Sequence, residues 1–269
     1  MITFDKAYFN LGYLDTLSYR ETFVHRLDPR AKLIATVLFI VTVVSFPKYE
    51  VTGLLPFFLF PVLVFSLGDI PVMFILKKVL FVSSFAVFIG IFNPLLDRQT
   101  AYSAFGFSVS GGWISFFSIM LKFFLTITSG LLLIAVTSFP GICSAMQKMG
   151  MPEIFVSQLL FLYRYLFVLT EEVMRVVRAR DMRSFGKKGR GITPFTSLVG
   201  TLFLRTVERA EKVYQAMLSR GFGGRLHAVK PYHFRAADAF FLAAAAVLLC
   251  LFRMYNVVGM AGRLSSGIF

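Results

Sequence analysis

The chain has 269 residues, 57% of them hydrophobic and only 16% charged, with 33 Phe and a formal net charge of +14. Soluble domains carry about 25% charged residues, so this composition excludes a soluble globular protein and indicates an integral membrane protein. The basic residues sit beside apolar runs rather than along a soluble surface, which sets nucleic acid aside as a partner and makes the lipid bilayer the immediate one.

The first fifteen residues lack the charged-then-apolar order of a cleaved signal peptide, so the first span is expected to do the targeting. A bilayer core about 30 Å thick takes roughly 20 helical residues. Five apolar segments meet or approach that length: 31–46, 51–67, 71–96, 113–139 and 236–255. The first two are joined only by Pro47-Lys48-Tyr49-Glu50 and are expected to form a tight hairpin. The lead-in His25-Arg26-Leu27-Asp28-Pro29-Arg30-Ala31-Lys32 marks a helix start, with Asp28 as the N-cap, Pro29 in the first helical position and Arg30 beside them. Lys122 falls deep within the fourth span, where an ammonium is costly unless it snorkels or faces water or protein. Pro140 is expected to terminate or kink that span.

Residues 141–235 hold 16 Lys/Arg against six Asp/Glu. Orientation follows from where Lys and Arg collect. With the N-terminus in the cytoplasm and five crossings, 23 of the 28 Lys/Arg lie on the cytoplasmic side. That gives three parts: 1–140 with four spans, a basic cytoplasmic region at 141–235, and 236–269 with the last span and an external C-terminus. The basic region keeps an apolar side through Ile154, Phe155, Leu159 and Leu162, so its helices are expected to lie against the inner face. One is placed at 153–184 and another at 195–220, separated by Gly186, Gly189, Gly191 and Pro194. An even number of spans is the alternative, because 154–170 is apolar enough to enter the membrane.

The same element occurs twice in this region, 37 positions apart: Ala179-x-x-x-Arg183-Ser184-Phe185-Gly186 and Ala216-x-x-Ser219-Arg220-Gly221-Phe222-Gly223. Ala and Arg four apart share a helical face. The alanine permits close approach, and the arginine offers a planar fork to carboxylates or helix-end carbonyls. Each copy ends a helix, so the pair reads as two docking tips rather than as lipid-phosphate contacts. Catalytic chemistry is nearly absent. His227 and His233 are six apart around Pro231, a poor ligand pair, and Cys143 and Cys250 are isolated in apolar surroundings. Gly186-Lys187-Lys188-Gly189-Arg190-Gly191 lacks the spacing and the Ser/Thr of a nucleotide-binding loop. No metal site, cofactor site or catalytic residue is expected in this chain. The pattern fits a non-enzymatic coupling subunit.

Three stretches carry a resemblance: His-Arg-Leu-Asp-Pro-Arg-Ala-Lys-Leu at 25–33, Thr-x-x-Pro at 137–140, and Glu-Arg-Ala-Glu-Lys-Val-Tyr-Gln-Ala-Met-Leu-Ser-Arg-Gly-Phe at 208–222. The chain resembles the transmembrane T component of energy-coupling factor (ECF) transporters, most closely the cobalt/nickel branch. The resemblance implies an all-α polytopic membrane protein with about five transmembrane helices plus two long cytoplasmic coupling helices. It implies that Arg183 and Arg220 engage grooves on a dimer of ABC-type ATPases, which themselves bind ATP and Mg. It further implies a membrane S component that captures the substrate and, in some members, a small accessory membrane subunit. In this family the motifs read Ala-Arg-Gly; here they are Met182-Arg183-Ser184 and Ser219-Arg220-Gly221, with both arginines kept. Cobalt is the first substrate this implies, with nickel next; a vitamin importer is the alternative. From a different class, a membrane-embedded enzyme is disfavoured by the scarcity of intramembrane acids and histidines.

Overall fold

The computed structural model describes residues 15–96, 100–104, 107–183, 192–223 and 233–254. They fall into two units, 15–142 with 233–254 and 143–183 with 192–223.

The first unit opens with one helical turn, α1 (Phe23–Arg26), and then α2 (Pro29–Val44). Asp28 caps α2 as the sequence predicts: its Oδ1 accepts the Arg30 N–H at 2.9 Å, and Pro29 takes the first helical position. The next segment does not form one α-helix. Thr52–Phe58 is 3₁₀, followed by α3 (Leu59–Gly68). Pro56 and Pro61 each remove an N–H donor, which favours the tighter turn. α3 ends at Asp69, whose φ of 49° is left-handed, and Arg20 pairs with its carboxylate at 3.2 Å.

The expected third span is broken at Ile91 into α4 (Val72–Gly90) and α5 (Phe92–Leu96). A short antiparallel hairpin follows, β1 (Thr100–Ala104) against β2 (Phe107–Ser110), with Thr100 opposite Ser110 and Ala104 opposite Phe107. The helix α6 (Gly111–Val136) ends three residues before the expected Phe139. Pro140 therefore does not end it. Pro140 stands in the first turn of α7 (Phe139–Lys148), where its missing N–H leaves no bond unmade. The unit closes with α10 (Ala236–Met254).

α6 is the centre of the bundle and packs against α2, α3 and α4, while α2 also packs on α10. Its buried residues Ser115, Ser118, Leu125, Ser129, Leu132 and Val136 recur at three- and four-residue spacing, so they line one face. The small ones let neighbouring backbones come close, which is how helices pack in lipid. The α2–α3 hairpin is held by rings: fully buried Phe39 stacks on Phe60 at 4.6 Å, and Phe46 meets Phe57 edge-on at 5.3 Å. Of the options for Lys122, the structure takes the one in which it faces protein. Its Nζ donates to the Phe46 carbonyl at 2.6 Å and the Pro47 carbonyl at 3.4 Å, beyond the end of α2. Arg253 lies over the Phe46 ring at 4.4 Å and donates to the Ser45 carbonyl at 3.4 Å. Arg253 thus meets the C-cap carbonyl of α2, and Lys122 the carbonyls of the turn that follows it.

Among the described residues, four helices are long and apolar enough to cross a bilayer: 72–94, 111–136, 153–182 and 236–254. The chain is an all-α polytopic membrane protein carrying one small β-hairpin. α2 has only 16 residues, and Thr52–Gly68 is also short of a full span. The long helix at 153–182, expected along the membrane face, has the length and composition to cross it.

Candidate functional site: two arginine-tipped helices and a buried charge cluster

The second unit is built from α8 (Glu153–Arg183) and α9 (Ile192–Leu218). α7 leads into it and stops at Gly150, whose φ is 103°. There the Met151 N–H bonds the Met146 carbonyl at 3.1 Å and the Gly150 N–H bonds the Gln147 carbonyl at 3.1 Å. This glycine-capped stop frees the chain to turn before Pro152 and start α8.

α9 ends the same way, and here the stop shapes the second Ala/Arg element. The Phe222 N–H bonds the Met217 carbonyl at 3.0 Å and the Gly221 N–H bonds the Leu218 carbonyl at 2.9 Å, with Gly221 at φ 78°. Arg220 is thereby held as the C-cap residue, exposed, with Ser219 beside it donating to the Gln215 carbonyl at 2.9 Å. Ala216 lies exposed one turn before. Phe222 packs edge-on against Phe161 of α8 at 6.1 Å, which anchors the tip. In the first element, Ala179 is half-buried on α8 and Arg183 is the last residue of that helix. Ser184 and the side chain of Arg183 lie outside the described residues.

The two helices run antiparallel. Glu172 of α8 pairs with Arg205 of α9 at 3.2 Å, and further along α9, Phe222 meets Phe161, further back on α8. Arg183 and Arg220 therefore sit at opposite ends of the pair, separated by roughly 30 Å at about 1.5 Å per residue. The second half of α8 carries Glu171, Glu172, Arg175, Arg178, Arg180 and Asp181, a run that is costly in a bilayer interior.

A separate cluster in the first unit joins three helices. Lys32 is 4% exposed, and its Nζ donates to the carbonyl of Val136, the last residue of α6, at 2.8 Å. It also reaches the His25 carbonyl at 3.4 Å. Asp28 and Asp238 face its charge. Asp238, 2% exposed in the first turn of α10, accepts the Asp28 N–H at 2.7 Å through Oδ1 and the Arg235 N–H at 2.7 Å through Oδ2. The latter is the back-reaching half of a capping box. His25 shares 2.7 Å with the Thr22 hydroxyl, and burial first, then the Lys32 charge, push its pKa below the usual histidine value. In the sequence, Asp28, Pro29 and Arg30 mark a helix start on their own, and Asp238 stands 210 residues away at the edge of the last span. The signal available for joining them was a lysine and an aspartate of opposite charge, each within one turn of a span's start.

Burial pushes the Cys143 thiol up to about 11, leaving it unreactive near neutral pH. Among the described residues no group of three His, Cys, Asp or Glu gathers as a metal site. His227 lies outside the described residues.

Comparison with known proteins gives a family match. The model of the family described as CbiQ, cobalt transport protein, matches residues 20–231. An energy-coupling factor transporter transmembrane protein EcfT from Bacillus selenitireducens is 26% identical, over 92% of this chain and 95% of its own. The protein of the same name from Bacillus subtilis is 27% identical over 75% of this chain and 81% of its own. The uncharacterized protein MJ1571 from Methanocaldococcus jannaschii is 26% identical over 87% and 82%.

Proposed function

The chain belongs to the CbiQ cobalt transport protein family, and from that premise we propose that it is the transmembrane coupling (T) subunit of an ATP-driven energy-coupling factor importer that takes up cobalt. It is non-catalytic. Its partners are a dimer of ABC-type ATPases, which bind ATP and Mg, and a membrane S component that holds the substrate. The N-terminus and residues 141–235 lie in the cytoplasm, with α8 and α9 as coupling helices beneath the bilayer.

One observation carries the reading: two helices of opposite direction each end in an arginine, and one of those ends is a glycine-stopped, exposed Arg220. A pair of similar sockets on a symmetric ATPase dimer has the same character, two equivalent sites facing each other. The charged second half of α8 supports its place outside the bilayer core. The alternative of a membrane-embedded enzyme has no paired nucleophile, acid or ligand set among the described residues to support it.

The test is co-purification. The Arg183→Ala/Arg220→Ala double variant is expected to insert normally and lose its ATPases. Each arginine contributes a charge-assisted hydrogen bond of about 1.5–3 kcal/mol, so the pair lowers affinity by at least about a hundredfold. Unchanged co-purification overturns the docking role. Uptake of labelled cobalt and nickel by the reconstituted complex tests the substrate, and transport of a vitamin with no metal uptake would move it to the vitamin importers.

A further inference from the structure

Resting on the coupling-subunit reading, we propose that Lys32 is a positioning residue: it ties α2, α6 and α10 into one body at the end where the chain leaves α6, so that motion arriving through Thr137–Pro140 carries the bundle instead of unwinding the end of α6.

The linkage is short. α6 ends at Val136, and the hydroxyl of Ser138 already accepts the Gly141 N–H at 3.3 Å at the start of α7. Only Thr137 and Ser138 separate the helices, and Thr137 is 3% exposed. Two residues span at most about 7 Å when fully extended. Any larger displacement of α7 must therefore either carry α6 with it or unwind the last turn of α6. That turn is the weak point, because its final carbonyls have no partners within the helix.

Lys32 supplies such a partner from another helix. Its ammonium holds the Val136 carbonyl at 2.8 Å and reaches the His25 carbonyl at 3.4 Å, and the charges facing it are Asp28 before α2 and Asp238 in α10. The same cluster clamps α10 to α2 through the Asp28 N–H on Asp238 at 2.7 Å. One lysine and one aspartate thus connect three helix ends that are distant in sequence. A plain membrane anchor does not account for Lys32, because at 4% exposure it reaches no lipid phosphate.

The test uses the complete complex in proteoliposomes, comparing the native chain with Lys32→Met and Lys32→Arg. Lys32→Met keeps the bulk and removes the charge and donors. It is expected to retain the bound ATPases and their ATP hydrolysis while uptake per ATP falls at least tenfold, and Lys32→Arg is expected to restore most of it. Uptake per ATP unchanged in Lys32→Met overturns the proposal, as does an equal loss in both variants, which would mark a purely steric role. Should Lys32→Met not accumulate, hydrogen exchange on the native complex decides. On addition of a non-hydrolysed ATP analogue, protection at 132–137, 29–33 and 235–239 is expected to change together. A change confined to 132–137 overturns the tie. The two failures are separable: ATPases absent from the native complex sink the coupling reading, whereas coupled transport by Lys32→Met sinks only the role of Lys32.

Discussion

The two units handle charge in opposite ways. In the first, Asp28, Lys32 and Asp238 are 3%, 4% and 2% exposed, and their neighbours across three helices are hydrogen-bonded to them. In the second, Arg209, Lys212 and Arg220 are exposed on α9 or at its end, and the Glu172–Arg205 pair lies near the surface. Buried charges of the first kind fix where helices go. Exposed charges of the second kind add little to stability and remain available to another protein. The contrast teaches that basic character in this chain has two uses, and that burial tells them apart where the count of Lys and Arg does not.

The comparison is broken most severely at Asp238. Asp238→Ala removes the acceptor of two backbone N–H groups and leaves Lys32 with less opposing charge. Breaking such a buried arrangement costs about 3–5 kcal/mol, so the thermal midpoint of the purified protein is expected to fall sharply. A midpoint equal to that of an Arg220→Ala control would mean that the buried cluster contributes no more than a surface arginine.

Gly221→Ala probes the other side at smaller scale. No atom lies within 4 Å of the added methyl, so the cost is backbone strain alone at φ 78°. That amounts to about 1–2 kcal/mol. The last turn of α9 should fray and ATPase retention fall by about tenfold, with the thermal midpoint of the bundle unchanged. Full retention would show that Arg220 docks without its fixed cap.

The smallest effect is with pH. His25 is held below its usual pKa of 6.5, mainly by burial. Its neutral form is therefore favoured in the fold, and the unfolded chain binds the proton more readily. Stability from this group is present above about pH 6.5 and is lost as pH falls through the lower folded value. The thermal midpoint should decline modestly between pH 7 and pH 5, and His25→Gln should flatten that decline. An identical slope in the variant would assign the loss to other groups.

What could be read in the sequence was local. Asp28-Pro29 gave its helix start because a cap and the N–H it accepts from lie two residues apart, and Gly221 gave its stop because only a left-handed residue ends a helix that way. Both long helices of the second unit appeared within three residues of their expected limits. The partnership of Asp28 with Asp238 spans 210 residues, and nothing in local spacing encodes it. Local spacing could not choose among the options for Lys122 for the same reason: its partners, the carbonyls of Phe46 and Pro47, belong to a turn brought alongside only by the packing of α2 on α6. The 3₁₀ run at 52–58 escaped because its apolar composition matches that of the helix it leads into, and the hairpin at 100–110 because it lies between two expected spans in a mixed stretch of Ser, Thr and aromatic residues.

The opposed directions of α8 and α9 have a mechanical consequence. Two pushes of equal size, delivered in opposite senses across the long axis of the pair at points roughly 30 Å apart, cancel as translation and survive as torque. A symmetric pair of neighbours moving crosswise at these ends in opposite senses would twist the helix pair about its midpoint, whereas the same pair pressing along its length would only compress it.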